Sequence, residues 1–125
     1  MYANRADIGK NRLYVTFKGR MEFDEVNKGG ANVLQEAKKL KPGFGIISDI
    51  SEFIPTTEDG RMEMQRVMKT LKDMGLGHVV RIVKGASSVA GYQWQRTSKA
   101  AGYTAAEVGT LADAEILLNK LEQEG

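Results

Sequence analysis

Cysteine is absent from the sequence, and histidine occurs once, at His78. Without cysteine the chain can form neither disulfides nor thiolate metal sites, and it has no cysteine nucleophile. A single histidine excludes a multi-histidine metal site and leaves a histidine-based triad without its nucleophile context. We therefore expect a protein that is not an enzyme and that carries no metal and no cofactor.

Long apolar runs are also absent. None approaches the roughly 18 residues of a membrane span, and the first ten residues, MYANRADIGK, have no continuous apolar core of a signal peptide. The 18 basic and 16 acidic side chains give a net charge of +2, without the clustered basicity of a nucleic-acid binder. These features predict a soluble, cytoplasmic protein with no membrane span and no nucleic-acid partner.

Proline occurs only twice, and the chain has no internal repeat, low-complexity tract or proline-rich linker. Its 125 residues match the usual size of one domain. We therefore predict a single domain over residues 1–125.

Hydrophobic periodicity predicts strands and helices in alternation. Period-two alternation over 13–20 indicates a half-buried strand, and the turn residues 9–11 favour a hairpin with a strand at Tyr2 to Ile8. The run from Phe44 to Ile50 is almost continuously apolar, as expected for an interior strand. Two further strands are predicted at 79–83 and 106–108.

Helical spacing separates these strands. One stripe begins at Phe23 and continues to Leu40, before Lys41-Pro42-Gly43, which ends the helix. A second stripe comprises Met64, Val67, Met68, Leu71 and Met74, and further helices are predicted at Ser88 to Ala101 and Leu111 to Leu121. Crossovers of this length favour parallel pairing. The fold class is therefore α/β, with a mostly parallel sheet of four to five strands and about four helices.

The junction SDISEFIPTTEDG, Ser48 to Gly60, follows the interior strand and precedes the second helix. In such folds function concentrates where strand carboxyl ends meet helix amino termini. Thr56 or Thr57 can serve as N-cap, with Glu58 and Asp59 complementing the helix dipole. The same position also suits a phosphorylated hydroxyl, because the helix terminus offers unpaired N–H groups, although the adjacent acids repel a phosphate.

This junction resembles the signature of STAS domains, the family named for sulfate transporters and anti-sigma-factor antagonists. The matching run is Asp49-Ile50-Ser51, Phe53-Ile54 and the threonine pair, followed by Gly60 and a helix. Weaker similarities occur at Lys18-Gly19-Arg20-Met21 and at the close of the second helix. The resemblance implies a STAS-like mixed sheet with helices against it, and a stand-alone bacterial protein.

The resemblance also implies a regulatory function. STAS domains of this kind bind a protein partner, an anti-sigma factor or kinase-like protein, which phosphorylates a loop serine or threonine. Carried over, the phospho-acceptor falls on Thr56 or Thr57, although Pro55 replaces the usual preceding acid and Glu58-Asp59 separates Thr57 from the glycine. The segment predicted to contact the partner comprises Phe53, Ile54, Glu58, Asp59, Gly60, Arg61 and Met62.

An alternative is a small-molecule or lipid-binding STAS-like domain without a phospho-switch. Its ligand would lie in a cleft between the second and third helices, lined by Ser87, Ser88, Tyr92 and Trp94. Tyr92 and Trp94 lie two apart on a predicted helix, so they cannot share one face. A homodimer contact at this surface is a further alternative, and packing at the rim of the core is a third.

Overall fold

A computed structural model of the chain describes residues 1–54, 57–84 and 105–124. Within these ranges the chain forms seven strands and three helices. In chain order they are β1 (Tyr2–Asp7), β2 (Arg12–Phe17), β3 (Gly19–Arg20), α1 (Phe23–Ala37), β4 (Gly45–Asp49), β5 (Phe53–Ile54), α2 (Glu58–Asp73), β6 (Val79–Ile82), β7 (Ala106–Val108) and α3 (Leu111–Gln123). The predicted helix at Ser88 to Ala101 lies outside the described residues.

The main sheet has five strands in the order β1-β2-β4-β6-β7. β1 pairs antiparallel with β2, from Tyr2 opposite Phe17 to Asp7 opposite Arg12, and the other neighbours are parallel. The hairpin turns at Asn11, which adopts a positive φ of 54°, a conformation that asparagine tolerates better than most residues. The predicted hairpin and the mixed, mostly parallel α/β sheet are therefore confirmed.

The two faces of the sheet carry two separate cores. Alternate residues of β2, Leu13, Val15 and Phe17, pack with α1 and α2 in the larger core. On the opposite face, Ile47 of β4 and the Val80 and Ile82 side chains of β6 pack against Ala114 and Leu118 of α3. Successive residues of a strand point to opposite faces of the sheet. Because β4 is buried on both faces, nearly all of its residues have to be apolar.

A short parallel pair, β3 with β5, was not predicted from the sequence. Gly19 lies opposite Phe53 and Arg20 opposite Ile54, and the Gly19 N–H donates to the carbonyl of Glu52 at 2.8 Å. Gly19 has a φ of 74°, which glycine adopts without strain. Two-residue strands are too short to give a periodic signal, so only the folded chain reveals that this pair joins the segments following β2 and β4.

The ends of α1 differ from the predicted stripe in two ways. The helix ends at Ala37 with Lys38 as C-cap, so Leu40 falls in the following turn and packs on the core from there. At the other end Phe23 is 43% exposed, because the first residue of the helix lies beyond the edge of the core. The stripe of α2 is confirmed, with Met64, Val67, Met68 and Leu71 buried and Met74 partly buried.

Candidate functional site

The amino terminus of α2 is capped by Thr57. Its backbone is extended, with φ −67° and ψ 168°, and its side-chain oxygen accepts a hydrogen bond from the Gly60 N–H at 3.4 Å. Glu58 and Asp59 lie in the first turn, where negative charge is favoured by the helix dipole. The N-cap prediction is therefore confirmed for Thr57, while Pro55 and Thr56 lie outside the described residues.

The side chains of the predicted partner-binding segment divide into exposed and buried groups. Ile54 is 48% exposed and Met62 is 58% exposed, and Thr57, Glu58 and Asp59 are also exposed. Phe53 is only 4% exposed and lies in the larger core, with its ring centroid 6.4 Å from that of Phe17. Gly60 is buried as well. Phe53 and Gly60 therefore lie in the interior beneath the exposed side chains, and they are not available for direct contact with a partner protein.

Arg61 is held on the surface of α2 by its neighbours. Its guanidinium donates to Glu58 Oε1 at 2.6 Å and to Gln65 Oε1 at 3.1 Å. The hydrogen bond that Arg61 donates to Glu58 raises the pKa of Arg61 above its already high ordinary value. Arg61 therefore stays positively charged, and its pair with Glu58 partly neutralises the helix terminus.

Met62 forms one wall of a groove between α1 and α2. The groove has a volume of about 470 Å³ and is lined by Phe23, Asp59, Met62, Glu63 and Arg66. Glu63 pairs with Arg66 at 2.6 Å, whereas Asp59 has no ion-pair partner within the described residues. Sequence reasoning found Met62 but missed Phe23, since it counted Phe23 as a member of the buried stripe.

The chain between β4 and β5 is fixed by a local turn. Asp49 Oδ1 accepts hydrogen bonds from the Ser51 N–H at 3.0 Å and from the Ser51 hydroxyl at 2.6 Å. An aspartate that bonds the backbone two residues on is a recognised turn former. This turn directs Phe53 back into the core and leaves the next residue, Ile54, on the surface.

The described residues contain a small cavity between the sheet and the two helices α1 and α2. Its volume is about 40 Å³, and its lining is mostly apolar, with Ser48 and the 1% exposed Arg81 as the polar members. A water molecule occupies roughly 30 Å³ of liquid, so the cavity has no room for an acyl chain. The predicted cleft residues Ser87, Ser88, Tyr92 and Trp94 lie outside the described part of the chain.

A buried charged cluster lies at the opposite end of the sheet, where β2 meets α3. The Arg12 side chain is 4% exposed and contacts Glu122 at 3.3 Å and Glu115 at 3.5 Å, and it also donates to Asn119. Tyr14 donates its hydroxyl proton to Glu115 at 2.6 Å, and Lys10 contacts the same carboxylate at 3.3 Å. The cluster is an attachment point for α3.

The cluster changes the acidity of its members. Burial alone would raise the pKa of Glu115, but hydrogen bonds from Tyr14 and Lys10, with the charges of Lys10 and Arg12, hold that pKa below its ordinary value. Burial and the hydrogen bond to Glu115 raise the pKa of Tyr14. Burial alone would lower the pKa of Arg12, because it disfavours the charged form. The hydrogen bond to Glu122 acts in the opposite direction, and the pKa of Arg12 is raised overall.

Among the described residues, no group of three or more histidine, cysteine, aspartate or glutamate side chains is arranged to hold a metal ion. No helix in the same ranges is both long enough and apolar enough to cross a bilayer. No protein-family model matches the chain, and no curated protein matches it. The geometry of the α2 amino terminus is therefore the main basis for a functional hypothesis.

Proposed function

We propose that the chain is a STAS-like regulatory module that binds another protein and has no catalytic activity of its own. The observation that carries the proposal is the position of Thr57, an exposed hydroxyl at the tip of α2, with two exposed apolar side chains, Ile54 and Met62, on either side of it in the sequence. We call the surface formed by Phe23, Ile54, Thr57, Glu58, Asp59, Arg61 and Met62 the docking face.

The architecture supports this proposal. A hairpin followed by parallel strands and crossover helices agrees with the STAS-like arrangement that the motifs imply. The Asp49–Ser51 turn and the buried Phe53 hold the chain from Asp49 to Phe53, and Ile54 lies on the surface three residues before Thr57. Holding this part of the chain before binding lowers the entropy that binding has to offset.

The docking face has the composition of a protein-binding surface. Methionine and phenylalanine side chains are enriched in such interfaces, and Met62 and Phe23 line one groove. Burying a fully exposed side chain of this size contributes roughly 1.5 to 3 kcal/mol, and Phe23 and Met62, which are 43% and 58% exposed, would each contribute about half of that. The partner proposed from the resemblance is an anti-sigma factor or a kinase-like protein, in the cytoplasm.

Phosphorylation of Thr57 would act as the switch. A phosphate adds a charge of about −1.5 to −2 and three strong acceptor oxygens. At this position it would stand beside Glu58 and Asp59, so the tip of α2 would become strongly negative and bulkier. A partner that fits the unmodified tip would then be released.

The switch is tested by incubating the protein with ATP and a purified kinase-like anti-sigma factor. We expect a mass increase of one phosphate, which Thr57→Ala abolishes and Thr57→Ser retains. Thr56→Ala serves as the neighbouring control. An unchanged mass with a kinase that is active on its own substrate would reject the switch.

The docking face is tested separately by titrating the same kinase with Met62→Asp. We expect at least about a tenfold loss of affinity, the effect of roughly 1.4 kcal/mol. Ile116→Asp is the matched control, because Ile116 is 67% exposed on α3 and lies on the other side of the sheet. Equal affinities of the two variants would exclude this face as the contact.

The alternative, a small-molecule or lipid-binding STAS-like domain, depends on Ser87, Ser88, Tyr92 and Trp94 and stays a prediction. The cavity of about 40 Å³ under α1 and α2 does not favour a lipid. Homodimer formation likewise stays a prediction.

A further inference from the structure

A second cleft lies on the α3 face of the sheet, away from the docking face. It has a volume of about 370 Å³ and opens beside the carboxyl ends of β2, β4 and β6, with Arg5, Tyr14, Thr16, Asp49, Ile82 and Leu111 among its lining residues. The volume falls within the usual range of small-ligand sites, roughly 300 to 1,000 Å³. In parallel sheets, ligands bind at this end of the strands.

The position of α3 explains why the cleft exists. The helix begins at Leu111, which is 54% exposed, and its Glu115 and Glu122 reach Arg12 at the amino end of β2. Within the described residues it therefore covers Ile47 and Val80 but leaves the amino-end residues of β1 and the carboxyl-end residues of β2 uncovered on this face. Thr16 and Asp49 are neighbours in the sheet register there, and both are partly exposed.

Three polar groups in this cleft have hydrogen-bonding capacity to spare within the described residues. Arg5 has one ionic contact, a 3.9 Å approach to Asp7. Asp49 uses Oδ1 for Ser51 and leaves Oδ2 without a hydrogen bond in the same ranges. The Thr16 hydroxyl lies between them in the sheet. A cation, a hydroxyl and a carboxylate therefore converge on one cleft.

The placement of two opposite charges in one cleft defines the kind of ligand. The Arg5 guanidinium carbon lies 4.6 Å from the centre of the Tyr14 ring, so the cation is held above β2. Asp49 is on the adjacent strand and pairs with Thr16, two residues beyond Tyr14. Strand spacings of about 4.8 Å and 3.3 Å per residue place the Cα atoms of Tyr14 and Asp49 roughly 8 Å apart. Tyr14, Thr16 and Asp49 lie on the same face and line the same cleft, so one small ligand can offer a carboxylate to Arg5 and an ammonium to Asp49 through normal hydrogen bonds.

We propose that this cleft binds a small zwitterion of the α-amino-acid type with an apolar side group. The carboxylate accepts from Arg5, the ammonium donates to Asp49 Oδ2 and the Thr16 hydroxyl, and the apolar group lies on Ile82 and Leu111. Such charge-assisted hydrogen bonds are about twice as strong as neutral ones. The proposal is independent of the STAS-like function, because it uses none of the residues of the docking face.

The experiment is an NMR titration of the ¹⁵N-labelled full chain with free L-leucine at millimolar concentrations. We expect saturable shifts of the amides of Ala3, Thr16, Asp49 and Leu111. N-acetyl-leucine lacks the ammonium and leucinamide lacks the carboxylate, so each should bind roughly tenfold more weakly or worse, as expected for one lost charge-assisted contact.

Variants separate the site from nonspecific binding. Arg5→Gln and Thr16→Val should each weaken leucine binding, roughly tenfold for the loss of the arginine charge. Arg20→Gln is the matched control, since Arg20 is exposed and pairs with Glu22 outside the cleft, and it should bind as the parent does. The proposal is overturned by the absence of saturable shifts, by unchanged affinity of Arg5→Gln, or by equal binding of the two leucine derivatives and leucine.

Discussion

Arg12 is the residue on which the attachment of the last helix most depends. It is charged and almost fully buried, and it meets Glu115, Asn119 and Glu122 of α3. Burying an arginine is costly unless its donors are satisfied. Glu115, Asn119 and Glu122 all belong to one helix, so the requirement to satisfy Arg12 fixes the position of that helix on the sheet.

Replacing Arg12 with methionine should destabilise the fold by about 2 to 4 kcal/mol, because two partly buried carboxylates lose their common cation. The measurement is equilibrium unfolding in urea. Lys10→Met is the control, since Lys10 contacts the same Glu115 but is exposed, and it should change the unfolding midpoint little. An equal loss of stability in both variants would contradict the role assigned to Arg12.

Residue identity alone predicted part of the candidate site. Thr57 was found as a potential N-cap because its type and position fit the start of a helix, and Met62 because it lies off the buried stripe. Phe53 was expected to contact a partner, but it is buried by the Asp49–Ser51 turn. The turn changes the direction of the chain after β4. The periodic spacing of apolar side chains does not predict such a change, so it could not predict the burial of Phe53.

At the level of elements, the close approach of α1 to α2 depends on Gly30. A Cβ built on Gly30 would lie 2.7 Å from Cγ2 of Val67, on the facing helix. The adjacent Gly29 faces β1 instead, where a Cβ would lie 3.1 Å from the Tyr2 ring. The two glycines share one helix but have different neighbours. A comparison of their alanine variants therefore separates the effect of helix propensity on stability from the effect of packing.

Gly30→Ala should be less stable than Gly29→Ala by about 1 kcal/mol, since both gain the same helix propensity but the new Cβ is more crowded at Gly30, 2.7 Å from Val67, than at Gly29, 3.1 Å from the Tyr2 ring. Thermal and urea unfolding of the two variants give the difference. If Gly30→Ala were the more stable protein, the tight contact between α1 and α2 would not exist in solution.

The long elements were predictable because each has a clear period. Side-chain spacing predicts the buried stripe of α2 and the apolar strand β4. The burial of Met64, Met68 and Ile47 confirms both predictions. β3 and β5 were missed because a pair of two-residue strands has no period. α1 begins at Phe23 as predicted, but the expected burial of Phe23 is wrong because spacing gives the direction of its side chain and not where the core ends.

For the whole molecule, acid stability is governed in part by the cluster between the sheet and α3. The pKa of Glu115 is held below its ordinary value, so ionised Glu115 is more stable in the folded chain than in the unfolded one. A group with a lowered folded pKa contributes stability that is fully present above the unfolded pKa. That contribution is lost as the pH falls through the folded pKa.

Glu115→Gln should therefore be less stable than the parent near neutral pH, and the difference should shrink as the pH falls below about 4.5. Urea unfolding from about pH 6 to about pH 3.5 tests this. Glu36, whose pKa is lowered by hydrogen bonds from Lys39 and the Ala6 N–H, is present in both proteins, so its effect cancels. A difference that does not vary with pH would show that Glu115 acts through packing alone.

The order of the sheet, β1-β2-β4-β6-β7, has a consequence for synthesis on the ribosome. In this sheet each described strand lies next to the strand of the same sheet that precedes it along the chain. A growing chain can therefore pair each new strand with the one before it, without waiting for residues that are distant in sequence. The exception is α3, which contributes Ala114 and Leu118 to the second core. Ile47 and Val80 lack the cover of α3 until this helix emerges, so the nascent chain is most prone to aggregation in the interval before α3 leaves the exit tunnel.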